Sequence, residues 1–293
     1  MRDLPGLHEW AGPRWPDSPA ALQIHRQLDN GESPMNRFAG KTAVIAGGAR
    51  GIGEKVAEDI VAQGGNVVIG DMNRDLGEEL SSRLGPANAK FVELDVSRSS
   101  DCEVALDLAQ SAFGGVDLLV NCAIAMNAGP LIELSEDAWR KTLDVGLTGT
   151  FLMSRAFAAR LIREKKPGAI VNISSIGGQH PYGGAGSYSA VKAGITLLTE
   201  QMALEWAQYS IRVNALAPGT IETPLTTYLK DPEVRESRRG AVPLGRIGLP
   251  ADISNGVLYL LSDDASWVTA TTLTIDGGVS RSLFNHMKGR KWS

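Results

Sequence analysis

Tyr188 and Lys192 stand four residues apart in the run Ser187-Tyr188-Ser189-Ala190-Val191-Lys192. On a helix that spacing puts both side chains on one face. An ammonium there stabilises a phenolate and draws down a tyrosine pKa that starts near about 10. A phenol tuned in this way is a usable general acid and base. Far upstream lies the glycine cluster Gly47-Gly48-Ala49-Arg50-Gly51-Ile52-Gly53. Glycines let a backbone close on a pyrophosphate, and a helix opening there offers free N–H groups to it. The spacing differs from the commoner Gly-x-Gly-x-x-Gly, and alone it also suits any tight strand-to-helix turn. Asp71 strengthens the reading, since a carboxylate about twenty residues past the glycines can bind a ribose hydroxyl and repel a 2′-phosphate. Together these residues predict hydride transfer coupled to proton transfer, with NAD(H) as cofactor. NADP(H) is the alternative, which Arg50 and Arg74 would serve by pairing with a phosphate.

Two such sites need a scaffold that brings them to one edge. Thr42-Ala43-Val44-Ile45-Ala46 is a short apolar run ending in glycines, a buried strand entering a tight turn. A helical pattern over 52–63 follows, then a second strand at Asn66–Asp71. Further strands are expected at 90–94, 116–121, 169–174, 212–217 and 271–275, with helical patterns between them. Near-continuous apolar strands separated by helices predict a parallel sheet covered on both faces, a single doubly wound, Rossmann-type α/β domain. Ligands of such a sheet bind outside the carboxyl ends of its strands, where the glycine cluster sits.

The net charge of −4 gives no electrostatic footprint for nucleic acid. No uninterrupted apolar stretch is long enough to span a bilayer, so no membrane partner is expected. Cys102 and Cys122 are too few for a disulfide framework, which points to a reducing, cytoplasmic setting. His8, His25, His180 and His286 are scattered without metal-ligand spacing, and no metal is expected. Residues 1–36 differ from the rest: Pro5, Pro13, Pro16, Pro19, Pro34, Trp10 and Trp15 all fall there. They lack a secretory leader's pattern. They read as an extension, draped or flexible, or as the product of an upstream start codon. The competing reading is an arm that docks on a neighbouring subunit through its tryptophans. The domain proper is expected over 37–293, with a lid at about 222–250.

From Arg37 to about Ser280 the chain resembles the short-chain dehydrogenase/reductase family. The resemblance rests on Ala46-Gly47-Gly48-Ala49-Arg50-Gly51-Ile52-Gly53, Asp71, Leu94-Asp95-Val96, Asn121-Cys122-Ala123, Asn172-Ile173-Ser174-Ser175, Tyr188-Ser189-Ala190-Val191-Lys192 and Pro218-Gly219-Thr220-Ile221-Glu222-Thr223-Pro224, in that order. It implies that Tyr188 exchanges a proton with the substrate oxygen. Lys192 would lower the Tyr188 pKa and hold the nicotinamide ribose, and Ser175, rather than Ser174, would polarise the carbonyl. Asp95 and Val96 resemble the adenine-holding pair, while Ile221 and Thr223 resemble the contacts that orient the nicotinamide. The glycine turn, Asn121, Ala123, Pro218 and Gly219 complete the implied cofactor contacts.

Two departures stand out. Gly146, in Val145-Gly146-Leu147-Thr148-Gly149, replaces an Asn that the family uses to hold a kink whose free carbonyl binds a relay water. Glycine keeps the carbonyl and bends readily, so a weakened relay is expected. In Asn121-Cys122-Ala123-Ile124, Cys122 replaces an Asn, and Ile124 either replaces the usual Gly or follows its deletion. Ile124 would narrow the site, and Cys122 reads as a small buried residue. Arg235, Arg238 and Arg239 read as a solvated lid face, and an uncharged secondary alcohol or ketone as the substrate. The resemblance also implies a homotetramer built on helices over 144–163 and 188–208, with Leu152, Phe157, Leu161, Leu198, Met202 and Trp206 as candidate apolar contacts. The alternatives are an NADPH-dependent ketone or ketoacyl reductase, and a nucleotide-binding scaffold with little activity, which Gly146 and Ile124 would suit.

Overall fold

The structure is a computed structural model that describes residues 36–282; residues 1–35, with the proposed tryptophan arm, and 283–293 lie outside the described residues. Among the described residues, seven strands form one sheet: β1 (Thr42–Ala46), β2 (Asn66–Asp71), β3 (Ala89–Glu93), β4 (Leu118–Asn121), β5 (Gly168–Ile173), β6 (Ile211–Pro218) and β7 (Thr272–Ile275). Every neighbouring pair is parallel, in the order β3-β2-β1-β4-β5-β6-β7. The order reverses between β1 and β4, which opens a crevice at their carboxyl ends.

Alternate residues of the central strands serve opposite layers. Ala43 and Ile45 of β1 join one core with Val56 and Ile60 of helix α1 (Gly51–Ala62), Leu80 of α2 (Arg74–Leu84), and residues of α9 (Pro250–Leu261). Val44 and Ala46 join the other, with Leu106 of α3 (Ser99–Phe113), Phe157 of α5 (Gly149–Glu164) and Met202 of α7 (Tyr188–Trp206). Burial on both faces explains why these strands read as continuous apolar runs.

β1 and β2 coincide with the expected strands, and the others shift by one or two residues at an end. The largest shift is in β4, where Asp117 turns its carboxylate onto the Thr42 N–H at 2.8 Å instead of extending the strand. Three of the six candidate assembly residues are withdrawn. Phe157, Leu161 and Met202 are buried in their own core, and Leu152, Leu198 and Trp206 pack against it. The apolar residues that these two helices turn outward are Phe151, Leu197 and Leu204.

Three local devices position the site. Residues Asp144–Thr148 form a π turn between α4 (Glu136–Leu143) and α5, a widening of the helix that often marks functional positions. The loop after β4 is strapped to the loop before α7 by Gly129 N–H to Gly184 O (2.8 Å) and Gly186 N–H to Gly129 O (3.1 Å). The segment expected as a lid contains a 3-10 turn (Thr227–Lys230) and helix α8 (Pro232–Gly240). Its ends are tied by Glu222 N–H to Gly248 O at 2.8 Å and Gly248 N–H to Thr220 O at 3.1 Å.

Candidate active site

At the crevice, β1 leaves the sheet through Gly47, whose φ is +78°. A Cβ there would lie 2.6 Å from the Ala123 nitrogen at the end of β4, so only glycine lets the turn come this close. Gly47 and Gly48 both donate to Gly70 O, at 2.8 and 3.1 Å, which pins the turn to β2. No side chain caps α1, and Gly51 and Ile52 of its first turn line the crevice. Gly53 stands behind the wall: a Cβ there would be 2.2 Å from Gly47 O, and its absence lets α1 start against the turn.

Asp71 closes β2 beside this turn. Its Oδ2 accepts from Ala49 N–H at 3.1 Å and its Oδ1 from Asn73 N–H at 3.0 Å, so the carboxylate is aimed by backbone. Arg74 pairs with Glu93 at 2.6 Å and Glu78 at 3.1 Å. Arg50 lines the crevice, and its side chain has no hydrogen bond or ion pair to a described residue. Asp95 accepts from Ser97 Oγ at 2.6 Å, and that bond, ahead of burial, which works against it, holds its carboxyl below the ordinary carboxylate range.

The Asn121 side chain is engaged within the fold. Its amide donates to Ser154 Oγ (2.9 Å) and Asn172 Oδ1 (2.8 Å), and Asn172 in turn donates to Thr199 Oγ1 (2.9 Å). This buried chain ties β4 and β5 to α5 and α7 and does not line the cavity.

The cavity holds about 460 Å³ and runs from Asp71 and Asp95 to Tyr188. Gly47, Arg50, Gly51, Ile52, Val96 and Ala123 line its nucleotide end. Pro218, Gly219, Ile221 and Thr223 enter from the end of β6, and a Cβ on Gly51 would sit 3.5 Å from the Thr223 side chain. Ser175, Tyr188 and Lys192 share the far wall. Sequence reasoning missed Met72, Lys141 and Val145 on this lining. Lys141 carried no signal of its own, whereas Met72 directly follows Asp71.

Ser175 begins the short helix α6 (Ile176–Gln179), where its Oγ accepts from Gly177 N–H at 3.0 Å. Ser174 faces the other way, onto Lys192 O at 2.9 Å and Thr196 Oγ1 at 2.9 Å, and anchors α7. Lys192 donates to Ile173 O at 2.6 Å, with its Nζ 5.6 Å from the Tyr188 ring centre. The expected tuning is reversed in the protein alone. Burial pushes the Tyr188 phenol up to about 12, opposed by its hydrogen bond with Ser175. Burial pulls Lys192 down to about 8. Each enclosed group loses hydration, which disfavours its charged form. Cys122 is pushed up to about 11 by the same cause, which makes it an inert thiol at neutral pH.

The two departures meet in space. A Cβ on Gly146 would lie 2.5 Å from Val191 Cγ1 and 2.8 Å from Ile124 Cδ1, so Val191 and the Ile124 tip together occupy the place of a side chain at 146. The Gly146 carbonyl, expected to be free for a relay water, accepts from Thr150 Oγ1 at 2.6 Å.

A family model described as Enoyl-(Acyl carrier protein) reductase matches residues 47–280. The chain belongs to the short-chain dehydrogenase/reductase family. It is 38% identical over 247 residues to 2,5-dichloro-2,5-cyclohexadiene-1,4-diol dehydrogenase of Sphingobium indicum, covering 84% of this chain and 98% of that one. It is 38% identical over 245 residues to 3beta-hydroxysteroid dehydrogenase 1 of Eggerthella lenta, covering 82% and 94%. A gluconate 5-dehydrogenase from Burkholderia cenocepacia, solved with NADP and tartrate, superposes with a TM-score of 0.80 at 30% identity, covering 85% and 99%. As a member of this family the chain is an oxidoreductase that uses a nicotinamide dinucleotide on a secondary alcohol or its ketone. A scaffold without activity is set aside. Among the described residues no helix is long and apolar enough to cross a membrane.

Proposed function

We propose that this protein is an NAD(H)-dependent dehydrogenase or carbonyl reductase for ring-borne secondary alcohols and ketones, with Tyr188 as its general acid and base. The observation that carries the reading is the single cavity that joins backbone-aimed Asp71 to the Ser175, Tyr188 and Lys192 wall. The residues present fit the dinucleotide. The glycine turn and the α1 N-terminus would take the pyrophosphate, Asp71 the adenosine ribose, Asp95 and Val96 the adenine, and Lys192 the second ribose. Ile221 and Thr223 would orient the nicotinamide, which supplies the hydride acceptor or donor when bound.

Ser175 and Tyr188 then hold the substrate oxygen between two hydroxyls, an oxyanion-type arrangement. In reduction the Tyr188 phenol gives its proton to the oxygen; in oxidation the phenolate takes it back. Lys192, charged below about 8, favours that phenolate. Ring substrates are supported by the relatives' cyclic diol and steroid alcohols and by apolar walls at Ile124, Val145 and Leu225. The alternative cofactor, NADP(H), is favoured by unpaired Arg50 and by the NADP held in the gluconate 5-dehydrogenase. A homotetramer is the assembly we infer, with Phe151, Leu197 and Leu204 as outward contacts, and light scattering on the full chain would read its mass. We place it in the reducing cytoplasm, as its two free cysteines suit.

A panel of cyclic and acyclic secondary alcohols, run with both cofactors, tests this. The expected result is turnover with NAD above NADP, lost by at least about 100-fold in Tyr188→Phe while NADH still binds. Tighter binding of NADPH than NADH would overturn the Asp71 argument. Undiminished turnover in Tyr188→Phe would overturn the proton role.

A further inference from the structure

The bend that follows β6 is closed by one hydroxyl. Thr226 Oγ1 accepts from the Thr223 N–H at 3.0 Å, and its own hydrogen reaches Ile221 O at 2.9 Å or Thr223 O at 3.0 Å. The Thr226 N–H also donates to Thr223 O at 3.0 Å. Threonine side chains that bond to nearby backbone in this way fix local turns. Thr226 lines the cavity together with Ile221 and Thr223.

Other contacts anchor the bend without reaching its middle. Glu222 donates its N–H to Gly248 O at 2.8 Å, and its carboxylate makes a two-pronged pair with Arg235 of α8 at 2.9 and 2.8 Å. Buried Leu229 donates its N–H to Thr226 O at 3.0 Å. Among the described residues only the Thr226 hydroxyl engages the Ile221 carbonyl and the Thr223 N–H. Two polar groups are then left over. The Ile221 N–H has no hydrogen bond among the described residues, although Ile221 is only 5% exposed. An amide on a buried residue calls for a partner. The Thr223 hydroxyl accepts from the Leu225 N–H at 3.3 Å, which leaves it a second lone pair and its hydrogen.

We infer that Thr226 is a positioning residue for hydride transfer: its hydroxyl sets the bend so that the Ile221 N–H and the Thr223 hydroxyl meet the nicotinamide carboxamide. The inference rests on the dehydrogenase reading above and adds a residue that acts through two others. A carboxamide brings an oxygen that accepts and an amino group that donates. The Ile221 N–H suits the first and the Thr223 hydroxyl the second. Because Thr226 takes up the Thr223 N–H, the hydroxyl is the donor and acceptor that Thr223 has left. Hydride transfer depends steeply on the placement of the reacting ring, so a loosened bend should slow it.

The test compares Thr226→Val, which keeps the volume and loses the hydroxyl, with Thr226→Ser, which keeps the hydroxyl. Two ligands of the full chain separate the ends of the cavity: NADH, and ADP-ribose, which lacks the nicotinamide. Thr226→Val should weaken NADH by about fivefold and slow hydride transfer in a single turnover by about tenfold, on the cyclic alcohol that wild type uses fastest. Its affinity for ADP-ribose should match wild type. Thr226→Ser should recover most of both losses. An unchanged single-turnover rate in Thr226→Val overturns the inference. A Thr226→Ser variant as impaired as Thr226→Val also overturns it, by assigning the effect to the methyl group. Equal loss of ADP-ribose and NADH assigns the threonine to the fold of the whole crevice and overturns it too. These three outcomes leave the dehydrogenase reading standing. A wild type that binds NADH no tighter than ADP-ribose and turns over no alcohol sinks that reading, and the inference with it.

Discussion

The two ends of the cavity hold their ligands by different means. At the nucleotide end the contacts are backbone: Gly47 against Ala123, α1 N–H groups, and Asp71 aimed by Ala49 and Asn73 N–H. At the chemical end side chains fit one another, with Ile124 over Gly146, Ser174 beneath Lys192 and Ser175 against Tyr188. A backbone cradle tolerates little substitution, since Gly47, Gly48 and Gly53 each allow a close approach. A side-chain cradle can change in pairs, as long as the volumes still fit. That difference explains why the chain keeps the family's glycine turn yet departs from it at 124 and 146.

The largest effect should come from the backbone end. Gly53→Ala would drive a methyl to 2.2 Å from Gly47 O, which must spread the turn from α1. Loss of NADH affinity by about 100-fold and of stability by about 1–3 kcal/mol are expected, read by titration and thermal unfolding. Gly183→Ala meets nothing within 4 Å and should change stability by less than about 0.5 kcal/mol. Unchanged NADH binding in Gly53→Ala would erase the contrast between the two ends.

A smaller, graded effect should appear with pH at the chemical end. The Tyr188 value of about 12 keeps the phenol protonated at neutral pH, ready for ketone reduction. Alcohol oxidation needs the phenolate, whose share grows about tenfold per pH unit below the pKa. The kcat/KM for oxidation should therefore climb from about pH 7, while that for reduction should not. Above about 8 Lys192 loses its charge and its support for the phenolate, so the climb should flatten. A flat oxidation profile across this range would mean that another group moves the proton.

Backbone features were the ones legible in the sequence. β1 and β2 were readable residue for residue because buried parallel strands are apolar on both faces. Asp71 was readable because it ends a strand at a set distance from the glycines. The separation of Ser174 from Ser175 followed the family pattern, and the structure turns the two hydroxyls to different neighbours. What was hidden depends on the third dimension. Desolvation reverses the Tyr188 and Lys192 tuning, a property of enclosure that spacing does not carry. Asn121 matched the cofactor pattern yet belongs to a buried amide and hydroxyl chain. Helical spacing could not tell which side of α5 and α7 faces the sheet, and Phe157, Leu161 and Met202 turned inward. The Ile124 and Gly146 contact joins two elements far apart in the chain, so each departure looked like a separate loss.

The claim that those departures form one compensated exchange has a direct test in the double-mutant cycle of Gly146→Asn and Ile124→Gly. Gly146→Asn alone meets Ile124 and Val191, and Val191 sits between Tyr188 and Lys192 on α7. The single substitution should lower kcat by about tenfold, contrary to the weakened-relay expectation, with circular dichroism unchanged. Adding Ile124→Gly should recover activity and stability beyond the sum of the single effects, by at least about 1 kcal/mol of coupling. Strict additivity, or a Gly146→Asn enzyme as active as wild type, would show that the two positions vary independently and would contradict the account.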